Sequence, residues 1–401
     1  MNNKRGSSSV FLAVILTALV SIVLALIYVV REESVKSRMD GILNLSGDSL
    51  LSEFDYYIQK EYGLFLLTGT DKELSRKLKS YVSYSADNME DVDIESIKVS
   101  CGRFSLSNTD LAAEQILEHI KFAEMQEILK SSSQKSGFEM NSMEEKSLRH
   151  GPTIASLPSS AVPKTSLTSS AESIADKAKD IDVAFEEGSE GFLLNLYVLN
   201  MFNNKNELIC ENHFFKNEAE YILGGELSDK KNEKRVEMAL KAMRFPLNLA
   251  HIYGDSDKRN AVITAAEILT PGPAAAATQA ALASTWAYAE SDNDVDLLWE
   301  GYKVPVIKDK STWAIDLEGA VEGIKGNTVI PDAQKGYDYR QYLQVLLFFQ
   351  DKGIKVARIL DLIQINVRNN YNKDFLIQEC STGIDISAEI NGKVYGYEKK
   401  F

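Results

Sequence analysis

VFLAVILTALVSIVLALIYVV, residues Val10–Val30, is an unbroken apolar run with no charge and no proline. As a helix rising about 1.5 Å per residue it spans roughly 30 Å, the hydrocarbon thickness of a bilayer. A cleavable secretory signal has a shorter apolar core of about 7–15 residues followed by small residues at a cleavage site. Here the run meets Arg31-Glu32-Glu33, and no small-x-small site follows. The expectation is a short tail over residues 1–9, a membrane anchor over 10–30, and the rest of the chain on one side of the membrane.

No other segment reaches the roughly 18 apolar residues that a second crossing needs. The remainder is long enough for one large domain or two modest ones. Lys4 and Arg5 are the only charged residues before Arg31, so residues 31–401 hold 42 basic and 58 acidic side chains, a formal charge of −16. Such a surface repels nucleic-acid phosphates and anionic lipid heads, so nucleic acid is not an expected partner. The cysteines Cys101, Cys210 and Cys380 lie more than 100 residues apart. They admit at most one bridge, and buried free thiols are the expected state. Basic residues flank the span almost equally: Lys4 and Arg5 on one side, Arg31, Lys36 and Arg38 on the other. The charge rule therefore leans only mildly to an N-terminus inside.

Beyond the span, residues 31–67 read as a continuing amphipathic stem helix. Ile42, Leu43, Leu45, Leu50, Leu51, Phe54, Tyr57 and Ile58 recur at three- and four-residue steps, and Gly41 and Gly47 weaken the helix without forbidding it. Ile94–Leu106 alternates and is β-rich, which predicts a strand pair or one long bent strand. Ser107-Asn108-Thr109-Asp110 is a cap for a helix carrying Leu111, Ile116, Leu117, Ile120 and Phe122. Residues 131–178 open with 13 serines in 43 positions and include Pro152, Pro158 and Pro163. That composition predicts a linker or disordered insertion between a small α+β part (31–130) and a larger acidic lobe (179–401). In the lobe, Val236–Leu247 has helical spacing with Pro246 bending or ending the helix. Ala274–Glu290 is an alanine-rich helix after the Pro271-Gly272-Pro273 turn, and Tyr339–Gln350 and Ile354–Val367 are apolar helices separated at Gly353. Two alternating runs around Asn391-Gly392 predict a hairpin with a type I′ turn. The fold class is α+β: a membrane helix running into a stem, then a mainly helical lobe with a small antiparallel sheet.

The same reading turns up little chemistry. His119, His150, His213 and His251 are scattered, with no metal-ligand spacing, and His119 reads as a surface or cap residue. Asp292, Asp294 and Asp296 resemble the start of a calcium loop, but Leu297 and Lys303 stand where glycine and glutamate are needed, so a solvated acidic turn or helix end is expected. Gly224-Gly225 and Asp255-Ser256-Asp257 read as turns, the latter with capping capacity. No serine elbow, S-x-x-K or cysteine–histidine catalytic signature is present, and no cofactor is expected. Tyr56, Tyr57, Tyr62 and Phe65 are expected to close the stem onto its own domain, and Trp286, Trp299 and Trp313 to anchor the core.

Gly6-Ser7-Ser8-Ser9-Val10-Phe11-Leu12, followed by the span and stem, resembles the start of type IV pilins and pseudopilins, most closely the TadE-like proteins of tight-adherence pilus loci. That resemblance implies peptidase processing between Gly6 and Ser7 on the cytoplasmic face. It departs at the fifth residue after the cut, where Phe11 replaces the usual glutamate, which argues against a major polymerising pilin. A wider resemblance is to an uncharacterised bacterial family of TadE-like membrane proteins. It rests on SLLSEFDYYIQKEYGLFLL (49–67), AAEQILEHIKF (112–122), EAEYILGG (218–225), TWAYAESDNDVDLLWEGYKVPVIK (285–308), YDYRQYLQVLLFF (337–349) and RILDLIQINVRNNY (358–371). It implies an extracytoplasmic, non-enzymatic pilus or secretion component whose partners are the bilayer and other pilin-like or pilus-assembly proteins. The alternative is a membrane-tethered enzyme or receptor acting on wall polymers or peptides.

Overall fold

The computed structural model describes residues 4–87, 89, 92–129, 144–148, 156–163, 167, 184–186, 188–323 and 335–401. The chain divides into two compact units: unit 1, residues 1–59, 65–106 and 378–401, and unit 2, residues 60–64 and 107–377. This differs from the division expected at the Ser-rich stretch.

Unit 1 is organised on α1 (Lys4–Leu51), a single helix of 48 residues. No proline interrupts it, and it runs through both Gly41 and Gly47. From Met39 onward one face is buried: Met39, Leu43, Ser46 and Leu50 follow one another at steps of four, three and four residues, with Leu51 beside them. Each apolar side chain among them contributes about 1.5–3 kcal/mol by leaving water. The buried face differs from the expected stripe at two positions: Leu45 is exposed and Met39 is core. Gly47 permits close contact with the sheet, because a Cβ there would lie 2.9 Å from Ile386 Cδ1. Against this face packs α3 (Asp71–Ala86), burying Leu74, Leu78, Val82 and Ala86 and opened by a reciprocal Thr70–Glu73 capping box.

The remaining wall is an antiparallel sheet of three strands, β2 (Ile94–Ser100), β4 (Gly383–Ile390) and β5 (Lys393–Lys400), in the order β2-β4-β5. Strict alternation puts Ile384, Ile386, Ala388 and Ile390 into the core. The hairpin turn is as expected, with positive φ at Asn391 (50°) and Gly392 (68°). A two-residue pair, β1 (Leu67–Thr68) with β3 (Cys380–Ser381), completes the unit.

Three local expectations change. The stem does not reach residue 67 as helix: α1 stops at Leu51, and α2 (Tyr56–Tyr62) restarts because Asp55 Oδ1 accepts from Tyr57 N and Ile58 N (3.0 and 3.1 Å). Ile94–Leu106 is one strand ending at Ser100, then a 3₁₀ turn over Gly102–Phe104. Its partner is β4 rather than a neighbouring segment, which is why the C-terminal hairpin belongs with the N-terminal residues and not with the lobe.

Unit 2 is helical: α4 (Thr109–Leu129), α5 (Glu190–Met201), α6 (Glu218–Gly224), α7 (Asp229–Gly254), α8 (Ser256–Leu269), α9 (Ala275–Trp299), α10 (Leu317–Glu322), α11 (Tyr339–Phe348) and α12 (Lys352–Asn370). Asn108 caps α4 and Asp255 caps α8, each by accepting first-turn N–H groups. α12 is buried on all sides from Ile354 to Val367, the mark of a central helix. Two expected boundaries move. Pro246 lies inside α7, which continues to Gly254. Gly353 lies in the first turn of α12, whose cap is Asp351. Much of 131–178 lies outside the described residues. The described pieces are held to unit 2: Leu148 N donates to Leu227 O (2.9 Å), Leu157 and Pro158 are buried, and Ser159 N donates to Asp361 Oδ1 (3.0 Å).

Candidate functional site

The first half of α1 has no protein around it. Every residue from Val10 to Val30 is exposed, and the helix is long and apolar enough to cross a membrane. Its two aliphatic hydroxyls are satisfied within the helix: Thr17 Oγ1 donates to Val14 O (2.9 Å) and Ala13 O (3.1 Å), and Ser21 Oγ to Thr17 O (2.8 Å). An apolar solvent therefore meets no unpaired side-chain donor on this stretch. At its far end Tyr28 OH donates to Glu32 Oε1 (3.2 Å), and Lys393 Nζ of β5 lies 3.3 Å from the same oxygen. An aromatic with charged neighbours at the end of an apolar stretch suits a bilayer–water boundary. Gly6 and Ser7 lie in the first turns of α1, where helix ends fray most readily. Phe11 is 66% exposed.

Unit 2 encloses a different kind of site, a buried ionic cluster between α7 and α9. Arg244 is fully buried; its Nε donates to Asp294 Oδ2 (2.9 Å), Nη1 to Val306 O (2.6 Å) and Nη2 to Asn248 Oδ1 (3.2 Å). Lys308 Nζ stands 2.5 Å from Asp294 Oδ1 and also binds Glu290. Glu290 in turn accepts from Ala314 N and Ile315 N (2.9 and 2.8 Å). Burial pushes the Asp294 carboxyl up, but the charges of Arg244 and Lys308 outweigh it and hold it below the usual carboxylate range. Two cations and two carboxylates thus neutralise one another, and the cluster clamps the 304–315 segment onto α7 and α9. Asp294 is therefore not solvated, and of the expected turn or helix end the helix end holds: Asp292–Asp296 lies in the last part of α9, which runs past the expected Glu290 limit to Trp299.

Gly336 fixes the same segment from outside. It has φ +110°, and a Cβ there would fall 2.2 Å from Pro305 N and 2.3 Å from Val304 C. Both are backbone atoms next to the mutual Val304–Tyr337 hydrogen bonds, so neither can swing aside. Gly336→Ala is expected to lower the stability of unit 2 by about 2–3 kcal/mol, combining strained backbone with overpacking. A urea melt of the variant beside its parent measures this; a change under about 0.5 kcal/mol would contradict it.

A family described as "Family of unknown function (DUF5702)" matches residues 110–392, more than half of the chain. The chain belongs to DUF5702. No curated protein and no solved structure matches it. The DUF5702 region runs from the first turn of α4 to the β4–β5 turn; it therefore includes the Arg244–Asp294 cluster and β4 and leaves out the exposed half of α1.

Within the DUF5702 region the histidines take unexpected roles. His119 is half-buried, edge-on to Tyr197 and pressed against Gly63, rather than a surface residue. His251 stacks on Trp313 (centroids 5.1 Å apart), and His150 lies outside the described residues. His213 is buried with its Nδ1 2.7 Å from Glu218 Oε2. Trp286 and Trp313 pack edge to face as core anchors, and Lys205 lies over Trp299. Tyr62 is buried, whereas Tyr56 is exposed, so the aromatic group only partly closes onto the fold. Two groups escaped the sequence reading. Lys355, 2% exposed, donates to Asn195 Oδ1 (2.5 Å), and burial pushes its ammonium down to about 7. Asp361 binds Tyr221 OH (2.8 Å) and is pushed up to about 6 by burial. A cavity of about 140 Å³ lies beside α9 and α10, lined by Tyr288, Asp292, Asp296 and Gly319 among others. It is smaller than the roughly 300–1,000 Å³ of ligand pockets. The three cysteines are free.

Proposed function

We propose that the chain is a non-enzymatic, single-pass structural or assembly component of a bacterial tight-adherence or type IV-like pilus, or of a related surface secretion system, in the manner of a minor pseudopilin. The observation that carries this reading is α1. One uninterrupted helix supplies both a bare apolar rod and, from Met39, part of a folded core. A tether for an enzyme or receptor needs only a span and a flexible joint. A continuous helix instead transmits sideways packing of spans in the membrane to the folded units outside it. In this reading residues 10–30 embed beside similar spans and the N-terminus faces the cytoplasm. The folded units then stand on the outer side, and the acidic surface remains free for partners. The resemblance of Gly6–Leu12 to prepilin starts, and Phe11 in place of glutamate, support a minor rather than a major subunit. A glutamate there would place a carboxylate in hydrocarbon that only a neighbouring subunit's amine offsets.

Intact mass and N-terminal sequencing of the protein extracted from its host's membranes test this. A start at Ser7 is the expected result and fixes the N-terminus inside. A start at Met1 removes the processing argument and favours the tethered enzyme or receptor. A start beyond Val30 overturns the anchor altogether.

A further inference from the structure

The apolar half of α1 ends at Val30, and one side of the helix changes character there within two turns. Leu26, Ile27 and Val30 are exposed and apolar, and Arg31, Ser34 and Arg38 follow them, exposed as well. Steps of three, four and seven residues join these side chains into one stripe. A groove of about 530 Å³ runs along the stripe, and no acidic residue lines it among the described residues. A second groove, of about 320 Å³, opens beside it and shares Arg31 and Val35 with the first. Its far wall is the β4–β5 hairpin, which contributes Lys393 and Tyr395. The hairpin is fastened to α1 at this level. Lys393 Nζ lies 3.3 Å from Glu32 Oε1, which also accepts from Tyr28 OH (3.2 Å). Glu32, the one carboxylate lining either groove among the described residues, is thus already engaged by a cation and a hydroxyl. Both grooves are within the roughly 300–1,000 Å³ of sites that hold small molecules.

Their level on α1 selects the ligand. With residues 10–30 as a membrane span, the reading on which this assignment rests, hydrocarbon ends near Val30 and the headgroup layer begins at Arg31. Leu26, Ile27 and Val30 then face the upper part of an acyl chain. Cα–Cβ bonds tilt toward the N-terminus of a helix, so Arg31 and Arg38 both leave the backbone in the direction of the bilayer. A guanidinium offers a phosphate two parallel N–H···O bonds, and it is less strongly hydrated than an ammonium, which suits a site at the edge of hydrocarbon. The grooves hold Arg31, Arg38 and Lys393 against Glu32, so a headgroup of net negative charge fits better than a zwitterionic one. The chain beyond the span carries a formal charge of −16, which repels an anionic surface as a whole. An anionic lipid that binds here is therefore bound by these local groups.

We propose that this side of α1, with the β4–β5 hairpin as its rim, is a binding site for one anionic phospholipid. Arg31 and Arg38 hold the phosphate, Lys393 stands at the edge of the headgroup, and Leu26, Ile27 and Val30 carry the first part of an acyl chain. A lipid held in this way fixes the depth of α1 in the bilayer and bridges the span to the hairpin.

The test uses the full chain in detergent, titrated with phosphatidylglycerol or with phosphatidylcholine of the same acyl chains and read by native mass spectrometry. Phosphatidylcholine keeps the phosphate but cancels its charge with a quaternary ammonium. Each basic side chain beside an anionic lipid is worth roughly a fivefold preference, so phosphatidylglycerol should bind at least about fivefold more tightly. Arg31→Gln with Arg38→Gln should bring the two lipids within about twofold of each other. Lys36 lies about 140° round the helix from Arg31. Lys36→Gln therefore removes a charge from another side of α1 and should leave the preference intact.

Equal binding of the two lipids by the parent overturns the proposal, and this comparison decides alone if the double variant does not fold. A preference that survives the double variant, or that Lys36→Gln abolishes, overturns it too. Displacement of phosphatidylglycerol by millimolar glycerol 3-phosphate would show a site for free phosphate and overturn the lipid assignment. Flotation of the parent with phosphatidylcholine vesicles reads the anchor separately. Flotation without a lipid preference leaves the span standing and removes only the site, whereas failure to float removes both.

Discussion

Asp294→Ala should cost unit 2 about 3–5 kcal/mol, the usual effect of removing one partner from a buried ion pair. Among the described residues, Asp294 is the group that touches Arg244, Lys308 and Asn248 at once. Without it, two cations remain in a site closed to water with Glu290 as the single carboxylate between them. For a domain of ordinary stability, about 5–15 kcal/mol, that loss is most of the margin or all of it. The readout is a urea melt followed by the fluorescence of Trp286 and Trp313, which pack on each other beside this segment. A companion variant separates lost charge pairing from lost volume. Replacing Asp294, Arg244 and Lys308 by Leu, Met and Met together with Glu290→Gln, which keeps an acceptor for the Ala314 and Ile315 N–H groups, removes the desolvation cost along with the attraction, and it should be less damaging than Asp294→Ala alone. Asp294→Ala within about 1 kcal/mol of the parent would mean that the cluster is not the clamp described here.

The parts of this fold legible in the sequence are those whose cause is local. An apolar run as long as Val10–Val30 has few environments to occupy. Asn391-Gly392 carries its turn in its own φ preferences, and Asn108 and Asp255 cap helices within three residues of themselves. What escaped is non-local. Ile94–Ser100 reads as a strand from its own alternation, but nothing in it says that its partner is Gly383–Ile390, and the unit boundaries follow from that pairing. Asp294 looks solvated because acids usually are; the cations that bury it come from α7 and from the loop at Lys308. Leu45 and Met39 exchange places because α1 faces both α3 and the sheet, and a stripe counted on spacing alone does not fix its centre. Cys210, His213 and Glu218 were close in sequence all along. The pairing of His213 with Glu218, beside a Cys210 held at its backbone, goes with the turn that Asn203 imposes, which no regular periodicity encodes.

Leu19→Arg is the substitution that bears most directly on the anchor. Leu19 is near the middle of the apolar half of α1, is 54% exposed, and touches no folded core. An arginine there costs membrane insertion about 3 kcal/mol, roughly a hundredfold in the insertion equilibrium. The folded units keep their packing, since Leu19 is exposed and, among the described residues, belongs to neither core cluster. The control is the same change on the same helix. Leu45 is 65% exposed on the lower half of α1, so Leu45→Arg should leave membrane fractionation, stability and any assembly unchanged. The pair of variants therefore distinguishes an effect of position from an effect of charge. Carbonate-resistant membrane association should fall for Leu19→Arg alone, with unit 2 fluorescence melts superimposable on the parent. If Leu19→Arg still fractionates with membranes and still assembles, residues 10–30 are not the anchor. The exposed face of α1 must then be covered by protein, as in a bundle of identical helices.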